Sequence, residues 1–302
     1  MRISAVINTR NEERYIARCL KSISPYVDEI VIVDMHSTDK TRSIVRQYTR
    51  KIYLHEPVPY VEPARNFAIS KASGDWILVL DPDEVVPETL GLLLRRLTSN
   101  VQVHYVRIPR KNILFGKWIQ HTGWWPDYQV RFFKKGAVTW KKEIHSIPIT
   151  FGKGIELTPK LENALIHYNY SSISEFLAQV DRYGNETAAE EYASGKAFEW
   201  PSLMQQPAEE FIRRFFVWEG YKDGVHGLAL SLLQAVSLLV VELKLWEKNK
   251  FVNETPDKFL TMWWQVVQKK IKETKFWYYT KTNEQNNGLE KVFNKIRVKT
   301  GL

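Results

Sequence analysis

The chain has 302 residues, 44% hydrophobic and 25% charged, a globular composition long enough for one large domain or a domain with an appendage. Its one cysteine excludes a disulfide within the chain and fits a reducing compartment. The formal net charge of +9 suggests an anionic partner, such as a nucleotide, a nucleic acid or a membrane surface, without choosing among them.

The N-terminal "MRISAVIN" is too short an apolar run for a signal peptide and continues into polar "TRNEER". From there to residue 110, short apolar runs alternate with amphipathic segments. The runs are "ISAVIN" (3–8), "EIVIVDM" (29–35), "KIYLHE" (51–56), "WILVLD" (76–81) and "VQVHYVRIP" (101–109). They are rich in β-branched residues and predict strands. Between the first two, Ile16, Cys19, Leu20 and Ile23 recur at i, i+3, i+4 and i+7, one face of a helix. Cys19 is therefore read as a core residue. Similar segments follow at 39–49, 62–73 and 87–98. The alternation predicts a doubly wound, largely parallel sheet, whose ligands bind outside the carboxyl ends of the strands.

Three strand ends turn polar there: "NTRNE" (8–12), "DMHSTD" (34–39) and "DPDE" (81–84). No GxGxxG and no GxxxxGK[ST] is present, which argues against a dinucleotide-binding Rossmann domain and a P-loop NTPase. In an extended chain Asp81 and Asp83 point to one side, and Pro82 stiffens the bend. Two carboxylates at a strand end suit Mg²⁺ or Mn²⁺, with open positions for substrate phosphates. The plainer alternative is a solvated loop whose acids favour the N-terminus of the following helix.

These features resemble glycosyltransferase family 2 of the GT-A fold, in the bacterial branch that includes lipopolysaccharide-core glucosyltransferases. The matching stretches are "AVINTRNEERYIARCLKSI" (5–23), "DEIVIVDMHSTDKT" (28–41), "PARNFAISKASGDWILVLDPDE" (63–84) and "WWPDYQVRFFKK" (124–135). More weakly, 166–183 and 221–247 also fit. The resemblance implies a Rossmann-like GT-A domain with a mostly parallel sheet over 1–170 and a helical region over 171–302. It implies that Thr9, Arg10 and Glu12 form the first nucleotide-binding loop. Asp34 would contact the base or ribose, Arg65 the nucleotide or phosphates, and Asp81 and Asp83 the divalent ion on the donor diphosphate. Asp34 as a turn residue and Arg65 as a surface ion pair are the alternatives; Asp39 reads as a helix cap. The implied chemistry is inverting transfer from a nucleotide sugar, a UDP-sugar being expected.

"HTGWWPDYQVRFFKK" (121–135) gathers a histidine, two tryptophans, a carboxylate and an arginine. The faces of Trp124 and Trp125 suit an acceptor sugar. Asp127 sits where the family often places its acceptor-side carboxylate and is the candidate general base. Many members have Glu-Asp there, whereas Pro126 precedes Asp127 here. Arg131 could meet the diphosphate or pair with Asp127, which shares its side of an extended strand. His145, in "KEIHSIP", stands where relatives tend to have His-Glu and could complete the metal site; the alternative is a structural histidine. Ser146 replaces the glutamate, so no role of that acid carries over.

Residues 173–302 read as helical, with segments at 173–194, 207–222, 225–247 and 256–275, and "ASGKAFEWPSLMQQP" (193–207) as a connector. The run 227–246 has the length of a bilayer span but contains Glu242 and Lys244. Basic residues outnumber acidic ones about two to one from Lys244 onward, interleaved with aromatics. This predicts an interfacial helical region on the cytoplasmic leaflet, touching anionic lipid. A bundle helix or a homo-oligomer contact is the alternative, and a transmembrane span ranks last. Nucleic-acid binding is not expected, because the charges form no recognisable module. The leading reading is a metal-dependent inverting glycosyltransferase acting on a glycan or lipid-linked acceptor, cytoplasmic and peripheral on the membrane's inner face. A nucleotidyltransferase and a non-catalytic nucleotide-sugar-binding protein remain as alternatives.

Overall fold

The computed structural model describes residues 1–58, 61–140, 147–253 and 256–285. The chain divides into two compact units: Met1–Trp118 with Trp124–Ser171, and Ile119–Gly123 with the residues from Ser172 onward.

The first unit begins β1 (Ile3–Thr9), α1 (Ile16–Ile23), β2 (Glu29–Asp34), α2 (Thr41–Val45), β3 (Ile52–Leu54), α3 (Glu62–Ser70) and β4 (Trp76–Leu80). These strands are parallel in the order β3-β2-β1-β4. β1, β2 and β4 are buried along their whole length, as their unbroken apolar runs require in a sheet covered on both faces. Ile3, Ala5 and Ile7 pack to one face against Ile16, Cys19, Leu20 and Ile23 of α1. Val6 and Val79 pack to the other, against Ala68 of α3. The helical face read from the sequence is thus the buried face of α1.

Next come β5 (Glu84–Val85), α4 (Glu88–Leu97), β6 (Tyr105–Leu114), β7 (Lys117–Trp118), β8 (Asp127–Lys134), β9 (Val138–Thr139), β10 (Ile149–Thr150), β11 (Gly154–Glu156) and β12 (Leu165–Tyr168). The sheet continues β4-β8-β6-β12-β5. β8 runs antiparallel to both β4 and β6, so the full sheet is mixed while its first four strands are parallel. The strand expected at 101–109 instead begins at Tyr105 and runs through Pro109 to Leu114. β11 covers Tyr105–Arg107 and β12 covers Arg110–Ile113 on one side of it, leaving Pro109 in the gap. The Arg107 and Ile113 carbonyls accept hydrogen bonds on that side, so by alternation the missing N–H of Pro109 faces the gap and breaks no ladder.

The second unit contains α5 (Ile173–Ala193), α6 (Ser202–Ile212), α7 (Val225–Lys248) and α8 (Phe259–Gln285). Ser172 caps α5, its hydroxyl accepting from the Glu175 N–H at 3.1 Å. The connector expected up to 207 ends earlier. Pro201 stands just before α6, where its fixed φ suits a helix start, and Pro207 lies inside the helix. The segment expected as a helix over 207–222 breaks after Ile212 into a π-turn, Arg213–Val217.

The charges inside α7 are paired. Glu242 is buried and accepts from Ser202 Oγ (2.6 Å) and Lys196 Nζ (3.2 Å). Lys244 donates to Asp181 and Asn185 of α5. Val225, Leu228, Leu232, Val236 and Leu243 of the same helix are exposed and form an apolar stripe that ends at the exposed Glu247 and Lys248. α7 is also the one helix among the described residues long and apolar enough to cross a membrane by length and composition.

Candidate active site

The carboxyl ends of β2, β1 and β4 lie side by side, with Thr9 and Asp34 as Cα partners. The loops after β1 and β2 brace each other. Asn11 N–H donates to Ser37 Oγ (3.0 Å), Thr38 N–H to Asn11 Oδ1 (2.8 Å) and Glu12 N–H to Thr41 Oγ1 (2.7 Å). Asp34 is fully buried and accepts from Ser37 N–H at 3.1 Å. Its Oδ1 and the hydroxyl of Thr9 are buried without a hydrogen-bond partner. Arg10 is exposed in the same loop.

"DPDE" is a turn rather than an extended segment. Glu84 N–H donates to the Asp81 carbonyl (3.0 Å), and the Asp81 N–H donates back to Glu84 Oε2 (2.9 Å). The two aspartates consequently have different partners. Asp81 takes Arg65 Nη2 on Oδ1 (2.8 Å) and Arg131 Nη2 on Oδ2. Asp83 Oδ2 lies 3.2 Å from His167 Nε2. Burial pushes the Asp81 carboxyl up, but Arg131, Arg65, Arg110 and His167 outweigh it and hold it well below the ordinary carboxylate range. Arg131 is buried, which favours losing its charge, yet Asp81 and Glu84 drive its pKa above the usual value. Its pairing with Asp127, one of the two readings open from strand spacing, is not what forms. Arg131 goes to Asp81 and to Glu84 Oε1 (2.8 Å), and Asp127 goes to Arg110.

Pairing across the sheet explains the rest of the cluster. Glu84, His167 and Asn112 are Cα partners across β5, β12 and β6, and Arg110 is the partner of Asp127 across β6 and β8. Arg110 and Asn112, two residues apart on one strand, face one side. Asp127 Oδ2 accepts from Arg110 Nε (2.8 Å) and Asn112 Nδ2 (3.1 Å), and Oδ1 accepts from Gln129 (2.8 Å). Burial raises the Asp127 pKa; Arg110, Asn112 and Gln129 together bring it below the ordinary value.

Sequence reasoning missed four members of this cluster: Glu84, Arg110, Asn112 and His167. Glu84 and His167 stand within stretches that carry the family resemblance, but nothing in linear spacing places β12 beside β5 and β6. Trp124 and Trp125 are half-buried just before β8, with a cis bond between Trp125 and Pro126. Trp125 meets Trp118 edge to face at 5.5 Å, and the Trp124 carbonyl accepts from Asn112 (2.9 Å). His145 lies outside the described residues.

No group of three or more His, Cys, Asp or Glu side chains is placed to hold a metal among the described residues. Both Asp81 oxygens are occupied by guanidinium groups. The Asp83–His167 pair fits better: two ligands at right angles on one Mn²⁺ or Mg²⁺ stand about 3 Å apart, given metal–ligand distances near 2.1 Å. The observed separation is 3.2 Å. Such a two-ligand site leaves its other positions to substrate phosphates and water.

The sequence model of glycosyl transferase family 2 matches residues 4–155. An uncharacterized glycosyltransferase of Rickettsia conorii is 26% identical over 257 residues, spanning 82% of this chain and 91% of that protein. The lipopolysaccharide core biosynthesis glycosyltransferase LpsC of Rhizobium meliloti is 25% identical over 263 residues, spanning 82% of this chain and 93% of its own. Among solved structures, glucosyl-3-phosphoglycerate synthase of Mycobacterium tuberculosis, in complex with Mn²⁺ and uridine-diphosphate-glucose, is 25% identical with a TM-score of 0.31. That match covers 38% of this chain and 44% of the synthase. S. aureus TarS is 20% identical with a TM-score of 0.40, over 62% of this chain and 40% of TarS.

Proposed function

The chain belongs to glycosyltransferase family 2, and from that premise we propose that it moves a sugar from a nucleoside diphosphate, UDP in the first instance, to a glycan or lipid-linked acceptor with inversion at the anomeric carbon. The observation that carries the proposal is the convergence of Asp81, Asp83, Arg65, Arg131 and His167 on the carboxyl end of β4.

Thr9 and Asp34 would take the nucleoside. Their buried, unpartnered oxygens would each cost about 1–3 kcal/mol if left unsatisfied, and a ribose or base edge would satisfy them. Asp81 holds Arg65 and Arg131 in place. Arg65 Nε and Nη1 and Arg131 Nε are buried donors with no hydrogen-bond partner, ready for diphosphate oxygens. Donors fixed beforehand in a buried site stabilise charge on a leaving group at no cost of reorganisation. Asp83 and His167 would hold Mg²⁺ or Mn²⁺, which supplies further positive charge against the leaving diphosphate when bound. Asp127 would take the proton of the attacking acceptor hydroxyl, with Trp124 and Trp125 beside it to receive the acceptor sugar.

A membrane-bound acceptor is proposed from the second unit. The apolar stripe of α7 is exposed, and α8 exposes Leu260, Trp264 and Tyr278 among its lysines. Apolar and aromatic side chains beside cationic ones suit the interface of an anionic bilayer. The proposed location is therefore cytoplasmic, peripheral on the inner face.

Calorimetric titration of a panel of nucleotide sugars, with and without Mn²⁺, tests the function. Binding of one donor that requires Mn²⁺ is the expected result. Absence of binding by every donor to folded protein would refute the transferase reading.

A further inference from the structure

Asn112 is fully buried at the centre of the cluster, and both its amide nitrogen and its amide oxygen have partners there. Its Nδ2 donates to the Trp124 carbonyl (2.9 Å) and to Asp127 Oδ2 (3.1 Å). An amide nitrogen has two hydrogens, so both are used. Its Oδ1 lies 2.6 Å from His167 Nδ1. An amide oxygen has no proton to give, so the imidazole must donate from Nδ1. The nitrogen turned to Asp83 is then Nε2, 3.2 Å from the carboxylate.

From this geometry we infer that Asn112 is a positioning residue with two separable tasks. Its carbonyl locks His167 in the Nδ1–H form, which keeps Nε2 available to a divalent cation. Its amino group orients Asp127 toward the acceptor side and ties it to the backbone at Trp124. The inference rests on the proposed metal-dependent transfer. The lock itself is a property of the free protein. A ring nitrogen held by an outer hydrogen bond sets both the tautomer and the basicity of its partner, and losing such a bond typically costs about 10- to 100-fold in metal affinity.

Two substitutions separate the tasks. Asn112→Asp keeps an oxygen that accepts from His167 Nδ1 but removes both N–H donors. Asn112→Leu removes everything while retaining similar bulk. Nitrogen-15 spectra of the imidazoles in metal-free protein, from about pH 6 to 9, report which ring nitrogen carries the proton. The His167 signal is assigned by its loss in His167→Gln. In the unsubstituted protein and in Asn112→Asp, Nδ1 should stay protonated throughout. In Asn112→Leu the neutral ring should move toward the Nε2–H form, and Mn²⁺ binding in the presence of UDP, read by electron paramagnetic resonance of free Mn²⁺, should weaken about 10- to 100-fold. Asn112→Asp should hold Mn²⁺ far better than Asn112→Leu yet lower kcat with little change in donor KM. An unprotonated Nδ1 in the unsubstituted protein overturns the lock. So does equal Mn²⁺ affinity in all three proteins. If Asn112→Leu does not fold, the ring spectrum of the unsubstituted protein and the kcat of Asn112→Asp still decide. Failure of the unsubstituted protein to bind Mn²⁺ with UDP would instead refute the metal reading and leave the ring spectrum to judge Asn112.

Discussion

Arg110 and Asp127 stand opposite each other on β6 and β8, and two guanidinium nitrogens converge on one carboxylate oxygen, Nε at 2.8 Å and Nη2 at 2.6 Å. The candidate base is therefore ionised but held. Burial opposes its charge, and Arg110 is the largest influence favouring it. Because the Asp127 pKa lies below its ordinary value, the acid limb of kcat/KM should fall on the acidic side of the usual carboxylate range. Arg110→Met should move that limb to higher pH. A profile unmoved by Arg110→Met would mean that the limb belongs to another group.

Asp127→Asn is the direct test of the base. Transfer should slow by between about a hundred- and ten-thousand-fold, the range typical of general-base removal, while donor affinity holds. A rate within a few-fold of the unsubstituted enzyme would remove Asp127 from the mechanism.

Asp83→Ala and His167→Ala should each abolish the Mn²⁺ dependence of donor binding, since they face each other and no third acid or imidazole joins them among the described residues. Asp81→Ala should act differently. It leaves Arg65 and Arg131 buried with less counter-charge, so stability should fall along with activity. Thermal denaturation of the three variants side by side distinguishes the roles.

Glu29 provides a pH test of the first unit. It is buried near the amino end of β2 and accepts from Ser4, Lys51 and both the N–H (2.7 Å) and hydroxyl (2.9 Å) of Ser73. Burial raises its pKa, but these donors outweigh burial and bring it from 4.5 to about 2. A carboxyl depressed on folding stabilises fully above its unfolded value and loses that contribution as pH falls through the folded one. Stability should therefore drop between about pH 4.5 and 2, and Glu29→Gln should flatten that part of the curve in urea titrations. An unchanged slope would assign the acid transition to other carboxylates.

Two changes probe the helical unit. Gly227 is in α7, where alanine would ordinarily favour a helix, but an added Cβ would meet the Gly220 carbonyl oxygen at 1.8 Å. Gly227→Ala should destabilise by about 1–3 kcal/mol, as overpacking does. Leu232→Glu with Val236→Glu places charge on the exposed stripe and should leave the fold intact. It should reduce co-sedimentation with phosphatidylglycerol vesicles; undiminished sedimentation would exclude this stripe as the lipid-facing surface.

The α/β class and the helical character of the second half were legible because they rest on local periodicity, and the family was legible through the resemblance of the stretches at 5–23, 28–41, 63–84 and 124–135. The runs of β1, β2 and β4 are apolar throughout, and α1 shows one clean apolar face. The polar strand ends carrying Thr9, Asp34 and Asp81 were legible for the same reason. Sequence spacing failed where a contact depends on which strands become neighbours. Asp81 and Asp83 suggested a joint carboxylate pair because an extended chain was assumed; a turn closed by Glu84 sends one to two arginines and the other to an imidazole. His167 lies 83 to 86 residues beyond "DPDE" and reaches it only because β12 inserts between β6 and β5. Likewise, Glu242 and Lys244 argued against a uniformly apolar helix, and packing alone turned both toward α5 and α6, leaving an exposed apolar stripe from Val225 to Leu243. Periodicity is written into the order of residues; partnership across the sheet and between helices arises only when the chain has closed around its core.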